Sequence, residues 1–137
     1  MMMLKSVLRI FAGAALGLPL LASAQDFDGS KPFICAVTEV FECYEHEGCS
    51  SETTEATLAP EFLKFDIKKK TVVALTDAEP RTSKMQYGGL EGDVLVIQGI
   101  ENFRGWTVTI VTKTGEMSAS VAGEKIAFVL FGNCTYP

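Results

Sequence analysis

Runs in which apolar and polar residues alternate at every second position constrain the fold of this chain most strongly. Leu63, Phe65 and Ile67, for example, alternate with Lys64 and Asp66. A period of two predicts a half-buried β-strand, because successive side chains of a strand point to opposite faces. The runs that alternate in this way, or are apolar on both faces, cover residues 63–67, 72–76, 82–87, 93–100, 106–110, 117–121 and 126–131.

The connections between these runs predict how the strands are arranged. They are short and carry turn-forming pairs such as Gly88-Gly89 and Thr114-Gly115, so neighbouring strands are expected to pair as antiparallel hairpins. Residues 33–44 fit either a helical stripe or a strand, and their density of β-branched and aromatic side chains favours a strand. Residues 50–59 are poor in apolar side chains and are predicted to form a loop.

Seven or eight strands in one antiparallel meander have to protect their two outer edges, since an unpaired edge invites pairing with another chain. Closure into a small barrel removes both edges, whereas a two-sheet sandwich, the alternative, protects them in part. We predict an all-β fold, with a single domain over residues 33–137 that closes as a barrel. Residues 25–32 are mostly polar and are predicted to be a flexible leader.

Residues 1–24 have the pattern of a secretory signal peptide. Lys5 and Arg9 precede a mostly apolar run over residues 10–21, and Ala22-Ser23-Ala24 supplies the small residues of a cleavage site. The apolar run is shorter than the roughly 20 residues that span a bilayer. We therefore predict cleavage after Ala24, a periplasmic or secreted product, and no stable membrane anchor.

Export determines the expected chemistry of the cysteines, which lie at positions 35, 43, 49 and 134. Four cysteines in an oxidising compartment are expected to form disulfides, and three pairings are possible. If the sheet closes, its first and last strands become neighbours, which favours Cys35–Cys134. Cys43–Cys49 would then close the short acidic turn between those two residues.

No catalytic, metal or cofactor site is predicted. Cys43, His46 and Cys49 carry groups that bind zinc, but C-x2-H-x2-C is not a standard zinc spacing, and oxidation would remove the thiolates. His46 is the only histidine and lies in a charged turn, with nothing nearby to make it the base of a hydrolase. The glycines near Gly88 lack the order and the following helix of a nucleotide-binding loop.

Charge narrows the classes of partner. Loss of Lys5 and Arg9 with the signal peptide would change the formal net charge from −5 to −7, and such a chain repels nucleic acid. A cationic secreted protein is the partner that this charge favours. The candidate interaction surface consists of four acids and one cationic–aromatic pair: Glu39, Glu42, Glu45, Glu47, Arg104 and Trp106. The guanidinium of an arginine can form a cation–π contact with an indole, so Arg104 is expected to contact Trp106.

Two resemblances accompany these patterns. The chain resembles small secreted proteobacterial β-rich proteins of unknown function, which implies no catalytic residue, in the segments 33–36, 65–69, 98–102, 104–106 and 131–135. It is also similar to periplasmic inhibitors of c-type lysozyme, which are disulfide-containing barrels, in its early Phe-x-Cys (33–35) and late Cys134. It departs from their Ser-Gly-x-x-Tyr loop at residues 83–87 and has no Phe-Trp strand at 94–97, so no inhibitory residue is carried over.

We therefore expect a non-enzymatic binding or inhibitory module with an acidic surface. The alternative is a lipocalin-like carrier of a small apolar ligand. The interior distinguishes the two, because Phe65, Trp106 and Phe128 would fill the barrel if all three pointed inward.

Overall fold

The computed structural model describes residues 26–76 and 78–137, so the predicted signal peptide lies outside the described residues. This part of the chain contains nine β-strands and one short helix. In chain order these are β1 (Phe33–Tyr44), β2 (Gly48–Glu52), α1 (Thr54–Thr57), β3 (Phe62–Asp66), β4 (Thr71–Leu75), β5 (Arg81–Glu91), β6 (Val94–Glu101), β7 (Arg104–Val111), β8 (Glu116–Ala122) and β9 (Ile126–Thr135).

Eight of these strands form a closed antiparallel barrel, which confirms the predicted fold class. Strands β3 to β9 pair in chain order, and β1 pairs with β3 on one side and with β9 on the other. The seam between β1 and β9 runs from Ile34 opposite Thr135 to Tyr44 opposite Ile126, with one bulge between Val37 and Glu39. The eight strands of the barrel therefore leave no unpaired edge strand among them, and the sandwich alternative is not formed.

Strand β2 lies outside the barrel proper. It pairs with the second half of β1, from Val40 opposite Glu52 to Tyr44 opposite Gly48. Strand β3 pairs only with the first half of β1, up to Ala36. The prediction of a loop over residues 50–59 is therefore wrong, because the start of this segment completes a hairpin and the middle forms α1. Thr53 caps α1 by accepting a hydrogen bond from the backbone N–H of Ala56.

Strand β5 is longer than predicted. Gly88 and Gly89 do not end it, because they pair with Ile97 and Val96 of the long apolar strand β6. The absence of a side chain at Gly89 leaves room for the Tyr87 hydroxyl, which a Cβ at that position would meet at 2.8 Å. These two glycines therefore accommodate neighbouring side chains within the regular part of the β5–β6 pairing, which follows a bulge between Met85 and Tyr87.

Both predicted disulfides are present. Cys35 and Cys134 lie directly opposite each other on β1 and β9, and their bond fastens the seam of the barrel. Cys43 and Cys49 face each other across the β1–β2 hairpin and close its turn.

One end of the barrel, here called the closed end, is filled by large apolar side chains. Phe33, Phe65, Leu95, Ile97, Ile110 and Met117 are almost completely buried there. Phe27 covers them from below: its backbone N–H donates to the carbonyl of Thr112 at 2.8 Å, and its ring stacks on Tyr136 at 4.8 Å. The leader predicted to be flexible is therefore packed against the barrel at Phe27, because an aromatic residue in a polar segment finds an apolar surface to cover.

Candidate ligand-binding site

The opposite end of the barrel, here called the mouth, opens into a cavity of about 430 Å³. Each of the eight barrel strands contributes at least one residue to its lining, so the cavity is the upper half of the barrel interior. Leu58 and Pro60, in the connection between α1 and β3, also line it.

The size of the inward-facing side chains explains why one half of the interior is filled and the other is open. At the closed end, the inward positions carry Phe33, Phe65 and Met117. Toward the mouth, small residues take the corresponding positions of three strands: Ala74 on β4, Ser83 on β5 and Ala119 on β8. Small side chains leave volume that their neighbours cannot fill, since side chains are confined to a few rotamers.

Strand β7 shows the change in chemistry with depth. Its inward-facing residues are, from the mouth downward, Arg104, Trp106, Val108 and Ile110, and the first three line the cavity. Ile110 is completely buried in the core. The wall therefore changes from cationic to aromatic to aliphatic over about 20 Å, the length of six residues of strand.

The apolar part of the lining is formed by side chains from five strands, and its members include Leu63, Val72, Trp106, Val108, Phe128 and Leu130. The indole of Trp106 lies against Gly99, its partner on β6. Its Nε1 is buried without a hydrogen-bond partner among the described residues. An unpaired buried N–H costs about 1–3 kcal/mol, so Trp106 is held in place by packing.

Arg104 lies at the mouth, at the first position of β7. Carbon atoms of its side chain pass over Gly123, close to where a Cβ would stand. Its guanidinium carbon is 5.6 Å from the centre of the Phe128 ring. The prediction that Arg104 would contact the Trp106 indole is therefore wrong. Arg104 lies over Phe128 instead, because its side chain runs over Gly123 toward β9 while the indole lies against Gly99.

The predicted acidic residues do not form one site. Glu42 lines the cavity, and its carboxylate accepts a hydrogen bond from the Tyr44 hydroxyl at 2.8 Å, which raises the pKa of Tyr44 above its ordinary value. Glu39, Glu45 and Glu47 are exposed and lie outside the cavity lining. Of the six predicted surface residues, the structure thus brings Glu42, Arg104 and Trp106 together.

Comparison with known proteins adds no assignment to this geometry. Searches against protein-family models, curated proteins and solved structures found no match. Within residues 26–76 and 78–137, no helix is long and apolar enough to cross a membrane. In the same residues, no group of three His, Cys, Asp or Glu side chains is placed to hold a metal ion, and Cys43 and Cys49 are oxidised to a disulfide.

The sequence patterns offer a ligand cavity only as an alternative to a filled barrel and do not locate it. Its only signal is the small size of Ala74, Ser83 and Ala119 at inward positions. These residues are common on both faces of strands, and their inward direction becomes known only when the strand register is fixed.

Proposed function

We propose that this protein is an exported, non-enzymatic binding module that takes a small apolar molecule into its barrel through the mouth. The cavity of about 430 Å³ carries this proposal. Small-molecule sites have volumes of roughly 300–1,000 Å³ and are lined mostly by apolar side chains with a few polar groups. The two disulfides are consistent with export to the periplasm or the exterior.

The positions of three aromatic residues support a carrier over a barrel with a filled core. Phe65 is completely buried and fills the closed end. Trp106 and Phe128 are only partly buried and line the cavity. Aromatic rings in the wall of a cavity offer a ligand large apolar surfaces at little cost in side-chain entropy.

The test is a titration of the purified, disulfide-bonded protein with octanol and decanol. Trp106 is the only tryptophan and lines the cavity, so its fluorescence reports entry of a ligand directly. We expect saturable binding with a shift of the emission to shorter wavelength. Each buried methylene contributes about 0.8 kcal/mol, so decanol should bind up to about 15-fold more tightly than octanol.

A pair of leucine variants on β8 supplies the control. Ala119→Leu adds volume inside the cavity and should weaken decanol binding at least tenfold, whereas Ser118→Leu makes a similar addition on the outer face and should leave it unchanged. Circular dichroism of both variants checks that the barrel is intact. Absence of binding to the wild-type protein, or an equal effect of both variants, would contradict a ligand in the barrel.

A second candidate function is docking of a cationic secreted protein on the β1–β2 hairpin. The segment from Pro32 to Leu63 contains seven glutamates and no lysine or arginine, and the Cys43–Cys49 bond holds the tip of this hairpin in one shape. The resemblance to periplasmic inhibitors makes a c-type lysozyme the first protein to test. We expect a complex at low ionic strength that is lost when Glu45 and Glu47 are both changed to glutamine. Equal binding by this variant would contradict the docking surface.

A further inference from the structure

The placement of Arg104 gives the cavity a charged group at one defined point of its mouth. The aliphatic part of its side chain packs over Gly123, and its guanidinium lies over the ring of Phe128, which itself lines the cavity. Two contacts, one in the β8–β9 turn and one on β9, thus fix the cation at the boundary between solvent and the apolar wall.

The guanidinium of Arg104 has no anionic partner among the described residues. Within residues 26–76 and 78–137, no carboxylate oxygen lies within 4.0 Å of it. Glu101 is directly opposite on β6 and also lines the cavity, yet the two do not form an ion pair. Glu42, the other carboxylate of the lining, accepts a hydrogen bond from Tyr44. Arg81, the second arginine of the lining, adds positive charge at the same end.

From this arrangement, and resting on the proposed function, we propose that the ligand is a single-chain amphiphile with a carboxylate head. Arg104 binds the carboxylate at the mouth, and the hydrocarbon chain extends along Trp106 and Val108 toward the closed end. An arginine pairs with a carboxylate through two parallel N–H···O bonds, which fixes the orientation of the ligand. The cavity volume lies in the lower part of the range for small-molecule sites, which favours one chain over two.

The experiment compares decanoate with decanol, which differ in the charge of the head. Dissociation constants are measured at pH 7 for wild type and Arg104→Gln by Trp106 fluorescence and by calorimetry. Hydrogen bonds to charged groups contribute about 1.5–3 kcal/mol, so Arg104→Gln should weaken decanoate binding about tenfold or more. The same change should alter decanol binding less than twofold. Arg104→Lys keeps the charge and should retain part of the affinity for decanoate.

Two further variants separate the local contact from the overall charge. Lys64→Gln removes one positive charge from the outer face of β3, where Lys64 is exposed, and should leave both affinities unchanged. Glu101→Gln removes the negative charge that faces Arg104 and should tighten decanoate binding two- to threefold without affecting decanol. Thermal unfolding of each variant confirms that the barrel is folded.

The outcomes distinguish this inference from the proposed function. If both ligands bind but Arg104→Gln affects them equally, the carboxylate assignment is overturned while the barrel remains a site for apolar molecules. If Lys64→Gln weakens decanoate as much as Arg104→Gln does, the effect belongs to net charge and the assignment is again overturned. If neither ligand binds wild type, the proposed function fails as well.

Discussion

The indole of Trp106 occupies the space that a side chain at Gly99 would need. The two residues are partners on β7 and β6, and a Cβ built on Gly99 would overlap the indole atoms Cζ2 and Cε2. Gly99 is itself buried, and the carbonyl oxygen of Lys84 closes the same space from β5. The position of the cavity wall therefore depends on the absence of one side chain on the neighbouring strand.

We expect Gly99→Ala to displace the indole into the cavity. Overpacking of this kind costs about 1–3 kcal/mol, so the free energy of unfolding should fall by that amount and the binding of decanol should weaken. Gly105→Ala is the matched control, because a Cβ there meets nothing within 4 Å, and it should be neutral or slightly stabilising. Urea unfolding followed by circular dichroism measures both.

A double-mutant cycle tests whether the indole is the cause. Phenylalanine has a smaller ring, so in a Trp106→Phe background the cost of Gly99→Ala should fall by about 0.5–3 kcal/mol, the range for residues in contact. Equal costs in the two backgrounds would show that the strain lies elsewhere, for example at the carbonyl of Lys84.

Alternation and turn residues predict the presence of each barrel strand, although the turn signal at Gly88-Gly89 sets the end of β5 too early. Alternation works here because most of these strands have one face in the core and one in solvent. Leu63 and Phe65 face inward on β3 as the pattern indicates. The same reasoning failed for β2, whose residues are nearly all exposed, because a strand without a buried face carries no alternation. The pairing of β2 depends on the adjoining turn and on the Cys43–Cys49 bond, which no single-strand pattern contains.

The candidate site was predictable in part for a similar reason. The sequence predicts Arg104 and Trp106 as a cationic–aromatic pair, and both line the cavity. The contact of Arg104 with Phe128 could not be predicted, because it joins strands whose relative register is set only when the barrel closes. The packing of Phe27 under the closed end depends on closure in the same way.

The two disulfides are expected to differ in their contribution to stability. Cys35 and Cys134 are separated by 99 residues, whereas Cys43 and Cys49 are separated by 6. The chain-entropy model assigns about 4.7 kcal/mol to a loop of roughly 100 residues and about 2.4 kcal/mol to the short one. Serine pairs at 35/134 and at 43/49 should lower the free energy of unfolding in that order, measured with urea. A larger loss for the hairpin pair would contradict the idea that closing the seam stabilises the barrel more than closing the hairpin does.

Phe103 is an exposed aromatic residue in a conformation that favours glycine. It follows Asn102 in the β6–β7 turn, and both residues have a positive φ, 63° at Phe103 and 50° at Asn102. The Phe103 side chain is fully exposed. Two-residue turns of this kind prefer Asn-Gly, so Phe103→Gly should raise the free energy of unfolding by about 0.5–1 kcal/mol.

Gly92→Ala is the converse control: its φ is +61° and a Cβ there has open space, so it should cost about 1 kcal/mol. A loss of stability in Phe103→Gly would mean that the exposed ring makes a contact in solution.

Alkaline pH should destabilise the closed end of the barrel. Burial, aided by the charges of Asp28 and Asp26, raises the pKa of Tyr136 above its ordinary 10.0, and a hydrogen bond to Asp26 raises the pKa of Lys113. A group whose pKa is raised by folding holds its proton more tightly in the folded state, so its contribution is complete below the unfolded pKa and is lost as pH rises through the folded one. The free energy of unfolding should therefore fall above about pH 10.

Tyr136→Phe removes one of these groups along with its 2.6 Å hydrogen bond to the Asp26 carbonyl, and should be less stable at pH 7 but show a shallower alkaline decline. Urea unfolding at pH 8, 10 and 11 gives the slope of the free energy of unfolding against pH for each protein. Tyr44 and Tyr87, whose pKa values are also raised, contribute equally to this slope in both proteins. Identical slopes would exclude Tyr136 as a source of the pH dependence.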